Sequence, residues 1–114
     1  MPQFALLLYD DPTQWQKLSP EEMQQAIEKY RAWTQKPFTK ASQRLGADLG
    51  KVVRSTNGKP RAGDGPYSET KEVLGGFYLI EARDYDEATQ LALEHPHAQY
   101  GTIEVRKLWE PPTA

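Results

Sequence analysis

The chain has 114 residues, no cysteine, and 14 basic against 16 acidic side chains, for a formal net charge of −2. That length supports one domain with its own core. The lack of cysteine excludes disulfides, thiolate metal sites and cysteine nucleophiles, and the slightly acidic balance argues against a general nucleic-acid surface.

Gln3–Tyr9 predicts a strand with apolar residues on both faces, Phe4, Leu6 and Leu8 against Ala5, Leu7 and Tyr9, and so a central position in a covered sheet. Asp10-Asp11-Pro12 ends it. Ser19-Pro20-Glu21-Glu22 has the spacing of an N-cap, a proline at the first helical position and a capping box. Met23, Ala26, Ile27, Tyr30 and Trp33 then form one apolar stripe of a helix. Pro37 interrupts that pattern, so the helix is expected to kink or restart over Phe38–Leu45, with Gly46 near its C-cap.

Gly50–Ser55 and Lys59–Ala62 read as two short strands joined at Asn57-Gly58, a hairpin turn signal. Residues 64–81 follow as the most informative stretch: a tight Asp64-Gly65-Pro66 turn, a polar loop carrying Glu69, Lys71 and Glu72, and a Gly75-Gly76 pair leading into the strand Phe77–Ala82. Asp84 and Glu87 have capping-box spacing before a helix whose apolar face is Tyr85, Ala88, Leu91 and Ala92, stopping before Pro96. Gly101–Trp109 closes the fold as a strand. One domain over 1–110 with a tail at 111–114 is expected.

Strand, helix, small hairpin, strand, helix, strand is a split βαβ order. It predicts an α+β fold of ferredoxin-like plan, with helices on one face of a mostly antiparallel sheet. Phe77 and Tyr78 point to opposite faces of one strand. Both faces therefore need cover, and a homodimer with two sheets packed face to face into an α+β barrel is expected. No basic leader or long apolar core opens the chain, and the longest apolar runs are too short to span a bilayer. A cytoplasmic protein without membrane contact is the expectation.

Asp64-Gly65-Pro66-Tyr67, Glu69-Thr70-Lys71-Glu72 and Gly75-Gly76-Phe77-Tyr78 together resemble the DGPF-motif branch of the YCII-related proteins, with Tyr67 in place of the usual Phe. Leu7-Leu8-Tyr9, Gly50–Arg54, Pro96-His97 and Ile103–Arg106 extend the likeness over nearly the whole chain; Lys107-Leu108 departs from it, where the family often has Pro after Arg. The resemblance implies a dimeric ferredoxin-like α+β barrel and a cleft built around an Asp and a His. It implies no particular reaction. Relatives that lie near, or are fused to, alternative sigma factors imply a regulatory context.

Asp64 and His97 are the candidate catalytic pair, because imidazole titrates near neutral pH and a carboxylate fixes its tautomer. Their structural alternative is an Asx-turn residue and an exposed loop histidine. Lys71 is a candidate anion partner and Glu72 a candidate base, against a solvated or cross-dimer ion pair. Glu104 and Arg106 share one face of the last strand, suited to mutual pairing or pairing with the other subunit, with substrate contact through Arg106 as the alternative. Tyr9 borders the same region, with core packing as its alternative. Lys51, Arg54, Lys59 and Arg61 make a basic hairpin that reads as solvated edge protection, with phosphate or nucleic-acid contact as the less favoured alternative. His95 and His97 have no second cluster at metal-ligand spacing, and no nicotinamide or phosphate loop occurs, so neither metal nor cofactor is expected. The residues fit a dimer that binds a small polar metabolite and carries out cofactor-free isomerisation, elimination or hydrolysis; they also fit a non-catalytic interaction module acting in a transcriptional context.

Overall fold

In the computed structural model, which describes residues 1–112, the first strand β1 (Gln3–Asp10) buries Phe4, Leu6 and Leu8 on one face. It pairs antiparallel with β5 (Val73–Glu81) on one side and β6 (Thr102–Lys107) on the other. β2 (Thr39–Arg44) lies outside β5, giving a four-stranded sheet of order β2-β5-β1-β6. β3 (Lys51–Thr56) and β4 (Lys59–Asp64) form a separate two-stranded hairpin. Its turn has Asn57 at φ 52° and Gly58 at φ 77°, the pair of left-handed residues that a two-residue hairpin loop requires.

Both long helices cover one face of the sheet. Helix α2 (Pro20–Thr34) starts at the capping box: the Ser19 hydroxyl accepts from the Glu22 N–H at 3.1 Å, and the Glu22 carboxylate accepts from the Ser19 N–H at 3.0 Å. Helix α3 (Tyr85–Glu94) starts where Asp84 accepts from the Glu87 N–H at 2.9 Å. Trp33 of α2 and Ala88 and Ala92 of α3 join Phe4, Leu6, Leu8, Tyr78 and Ile80 in one core. The opposite face, with Ala5, Leu7, Phe77 and Leu79, carries no helix, and the molecule is only 18 Å along its shortest axis, one sheet and one helix layer.

The arrangement is the ferredoxin-like α+β fold with one difference of assignment. Residues 39–44, expected to continue a helix from Phe38 to Leu45, are the edge strand β2, and the hairpin expected in its place stands outside the main sheet. Backbone pairing with β5 decides this: the Glu81 N–H donates to the Phe38 carbonyl and the Leu45 N–H to the Gly75 carbonyl, both at 2.9 Å. Two elements were not expected at all: the single-turn helix α1 (Thr13–Gln16) and a 3-10 turn at Pro96–Gln99. Of the tail, Thr113 and Ala114 lie outside the described residues.

Candidate functional site

The end of β1 carries the densest polar chemistry of the fold. Period two places Asp10 on the same face as Phe4, Leu6 and Leu8, so a carboxylate ends up under the helices, 7% exposed. Asp11 then accepts from the Thr13 N–H and hydroxyl at 3.0 and 2.8 Å, which turns the chain into α1 and holds the Asp11 carboxyl below its usual range. That turn brings the Trp15 indole N–H back onto Asp10 Oδ2 at 2.7 Å. Asp10 Oδ1 accepts no hydrogen bond among the described residues and is not fully buried, so this oxygen is reached by solvent.

Beside it the backbone is pared to glycine. Gly75 is the extra residue where the β1–β5 register shifts, and a Cβ on it would lie 3.1 Å from Asp10 Oδ1. A Cβ on Gly101 would meet the Tyr9 carbonyl oxygen at 2.1 Å, His97 Nε2 at 3.0 Å and Asp10 Cβ at 3.1 Å. Asp10, His97 and the Tyr9 carbonyl therefore converge on one point that only glycine can occupy.

His97 is 1% exposed and both ring nitrogens are engaged. A carbonyl can only accept, so Nε2 carries the proton and donates to Tyr9 O at 2.9 Å; Nδ1 then accepts from the Tyr30 hydroxyl at 2.6 Å. Burial, followed by the charge of Asp10, raises the Tyr30 pKa well above the usual phenol value, keeping it a donor. His95, also 1% exposed, accepts the His97 N–H on Nδ1 at 2.9 Å, and its Nε2 has no partner among the described residues. The rings of Trp33, Tyr78 and Tyr30 surround it at 4.5, 4.6 and 5.4 Å between centroids. Burial, with His97 as the smaller cause, holds its pKa down at about 3. Trp15 and Tyr100 continue the aromatic wall at 5.1 Å between centroids, and the Arg44 guanidinium lies 5.9 Å from the Trp15 ring.

The candidates of the sequence separate into four groups. His97 lies in this buried cluster. Tyr9, Glu72 and Arg106 gather on and beside the helix-free face: the Tyr9 hydroxyl donates to Glu104 at 3.3 Å, Arg106 lies 3.8 Å from Glu104, and both Glu72 carboxylate oxygens accept from the Thr102 hydroxyl. Burial and then Glu104 raise the Tyr9 pKa. Lys71 is exposed in the loop between β4 and β5, close enough to Asp11 to help lower its pKa. Asp64 stands apart at the foot of the hairpin, its side chain 85% exposed and ion-paired with Lys51, lining a shallow depression with Asp48, Leu49, Gly50 and Gly65. Asp64 and His97 share no hydrogen bond or ion pair; it is Asp10, through its Cβ, that meets His97 Nε2 across Gly101. Among the described residues no group of three or more His, Cys, Asp or Glu side chains could hold a metal ion, and no helix is long and apolar enough to cross a membrane.

Asp10, Trp15, Tyr30, Arg44, His95 and Tyr100 were not singled out as site residues from the sequence. For Asp10 the signal was present: its even position in β1 puts it on the core face, where a carboxylate is out of place unless it is held for a purpose. For the others it was not, since aromatic residues at helical spacing read as packing.

The model of the YCII-related domain matches residues 2–111. An uncharacterized protein of Rhizobium meliloti (strain 1021) is 32% identical over 114 residues, covering 92% of this chain and 90% of its own length. Among solved structures, the 5-chloro-2-hydroxyhydroquinone dehydrochlorinase of Burkholderia phenoliruptrix AC1100, in complex with 2,5-dihydroxybenzoquinone, superposes with a TM-score of 0.55 at 17% identity, covering 95% of this chain and 93% of that one.

Proposed function

Because the chain belongs to the YCII-related family over nearly its whole length, we propose that it acts on a small polar metabolite bound at Asp10 and moves a proton there without a cofactor. The observation that carries this reading is the Asp10 carboxylate: buried, fixed through Oδ2 by Trp15, and with Oδ1 left to a donor from outside the protein. A buried carboxylate with one free oxygen is a strong acceptor for a ligand O–H or N–H and, once the ligand has displaced water, a general base. His97 and Tyr30 serve as its fixed neighbours. Their hydrogen-bonded chain from the Tyr30 hydroxyl through the imidazole to Tyr9 O fixes the imidazole against the end of β1 that carries Asp10. Trp15 and Tyr100 offer flat apolar surface, and Arg44 offers a cation for an anionic substituent. The likeness in fold to an enzyme of hydroxylated aromatic rings supports a ligand of that general kind, small, flat and hydroxylated. Isomerisation and elimination are the reactions this set of groups suits.

The same reading includes a homodimer. Ala5, Leu7, Phe77 and Leu79 make an apolar strip on the helix-free face, and a second copy covers it face to face, with Tyr9, Glu104 and Arg106 at the rim.

The test is a thermal-shift screen of phenols, hydroxyquinones and small hydroxy acids against the wild type, Asp10→Asn and Asp64→Asn. Asn keeps an oxygen for the Trp15 N–H, so Asp10→Asn is expected to fold, and ligands that stabilise the wild type are expected to lose their shift in it while keeping it in Asp64→Asn. Ligands that survive Asp10→Asn and are lost with Asp64→Asn would move the site to the foot of the hairpin and overturn this assignment.

A further inference from the structure

The hairpin of β3 and β4 has no visible means of support within one chain. Every residue of both strands except Val52 is exposed. An isolated two-stranded hairpin is marginal in water, since it has no third strand or helix on which to bury a face. At its root the two legs are pinned to each other: the Gly65 N–H donates to the Gly50 carbonyl at 2.9 Å, and a Cβ on Gly65 would fall 1.9 Å from the Leu49 carbonyl oxygen. The arm projects with both faces in solvent.

Its two faces differ in chemistry. The cross-strand pairs Val52–Gly63, Arg54–Arg61 and Thr56–Lys59 alternate with Lys51–Asp64, Val53–Ala62 and Ser55–Pro60. One face therefore sets Arg54 directly opposite Arg61 with Lys59 one pair further on, and like charges placed opposite each other destabilise a ladder. None of these three cations pairs with a carboxylate among the described residues; the hairpin's own ion pair is Lys51–Asp64 at its foot. The Arg54 guanidinium lies 5.1 Å from the ring of Tyr67, which is itself 74% exposed. The other face presents Val53, 70% exposed, with Leu49 bare beside the foot. Exposed aromatic, arginine and aliphatic side chains grouped on a projecting element have the composition of an interface centre.

Charge identifies the occupant. Residues 51–64 hold four cations against one carboxylate, which leaves ten cations against fifteen carboxylates in the rest of the chain. A polyanion such as nucleic acid, drawn to the arm, would meet a body of its own sign. The body of a second copy is complementary to the arm instead. We propose that the β3–β4 hairpin is a docking arm that lies on the acidic body of a second copy of this chain, with Arg54, Arg61 and Tyr67 at the centre of the contact. Each copy offers one arm and receives one, so the contact closes as a symmetric dimer. The arm contact goes beyond the packing of the helix-free sheet faces, and the two are separable by experiment.

Sedimentation equilibrium of the wild type and of Arg54→Glu with Arg61→Glu, each at low and at high salt, tests the arm. Both substitutions are on exposed strand positions, and circular dichroism checks that the fold is kept. The expected result is a wild-type dimer whose Kd rises with salt, and a charge-reversed variant with Kd at least about tenfold higher. A nitroxide on Val53→Cys, the only cysteine in that variant, is expected to be immobilised in the dimer and mobile at dilutions that give monomer. A dimer of unchanged Kd in the reversed variant, together with a mobile label, would overturn the arm and leave the sheet-face dimer standing. A wild-type monomer would overturn both. Monomer that binds a single-stranded oligonucleotide through Arg54 and Arg61 would replace the second copy with a nucleic acid.

Discussion

His95 shows what one buried side chain contributes to the energetics of this site. It is packed among three aromatic rings with Nε2 unpartnered, so its charged form has neither water nor a carboxylate to stabilise it, and its pKa sits at about 3 against an ordinary 6.5. The unfolded chain takes up a proton on this imidazole as the pH falls through about 6.5, whereas the folded chain does so only near 3. Between those limits the unfolded state holds the extra proton, and folding stability declines as pH declines, by up to about 1.4 kcal/mol per pH unit from this group. Above pH 6.5 the group's contribution is constant. Urea denaturation at pH 7, 6, 5 and 4 is expected to show that slope in the wild type and a shallower one in His95→Phe. Phe fills the aromatic box without a titrating group, although it gives up the acceptor for the His97 N–H and so lowers stability at pH 7. Coincident slopes would show that folded His95 takes up its proton over the same pH range as the unfolded chain, and that burial does not hold its pKa down.

The elements differ in how far their residues announce them. Helix α2 is written locally: Ser19, Pro20 and Glu22 satisfy the orphan N–H groups of its first turn, and Ser19→Ala is expected to lower the urea midpoint at unchanged m by about 1 kcal/mol of stability. An unaltered midpoint would mean that packing of Trp33 and Ala26 alone sets the helix start. The hairpin turn is equally local, because Asn57-Gly58 tolerates the left-handed backbone that the loop demands. β2 is the opposite case. Thr39-Lys-Ala-Ser-Gln-Arg has no alternating apolar pattern, since an edge strand pairs through its backbone and leaves most of its side chains in water; even its contact with β5 through side chains is an ion pair, Lys40 to Glu81 at 3.6 Å. Only the hydrogen bonds of β5 make it a strand, and these belong to a partner more than thirty residues away in sequence. The site divides in the same way. His97 was legible as a chemical group next to Pro96, and Asp10 could be placed by its even register in β1. The union of Asp10, His97 and Tyr30 was not legible, because it is made by β1, the 3-10 turn and α2 meeting in space. Gly101 marks that meeting in the sequence only as one more glycine.

At the scale of the molecule the unanswered face is the sheet itself. Two layers 18 Å thick leave the half-buried Leu7, Phe77 and Leu79, around the buried Ala5, with helices behind them and no second layer before them. Antiparallel sheets tolerate one wet face when that face alternates to polar residues, but here the two central strands β1 and β5 are apolar on both sides, and the polar residues Gln43, Glu104 and Arg106 are confined to the edge strands β2 and β6. An apolar centre with a charged rim is the anatomy of a self-complementary interface. Phe77→Lys puts an ammonium in the middle of that strip. In an isolated chain the lysine stem lies over Leu7 and its head reaches water, so the fold is retained. In a face-to-face dimer the two-fold axis brings the substitution in twice, and each charge is desolvated without a partner at a cost of several kcal/mol. Since each 1.4 kcal/mol is a factor of ten in Kd, sedimentation equilibrium is expected to find Phe77→Lys monomeric at concentrations where the wild type is dimeric, with an unchanged far-ultraviolet spectrum. A Phe77→Lys dimer of wild-type affinity would show that the sheet face stays in water. Any dimer would then be held elsewhere, with the hairpin arms as the place to look.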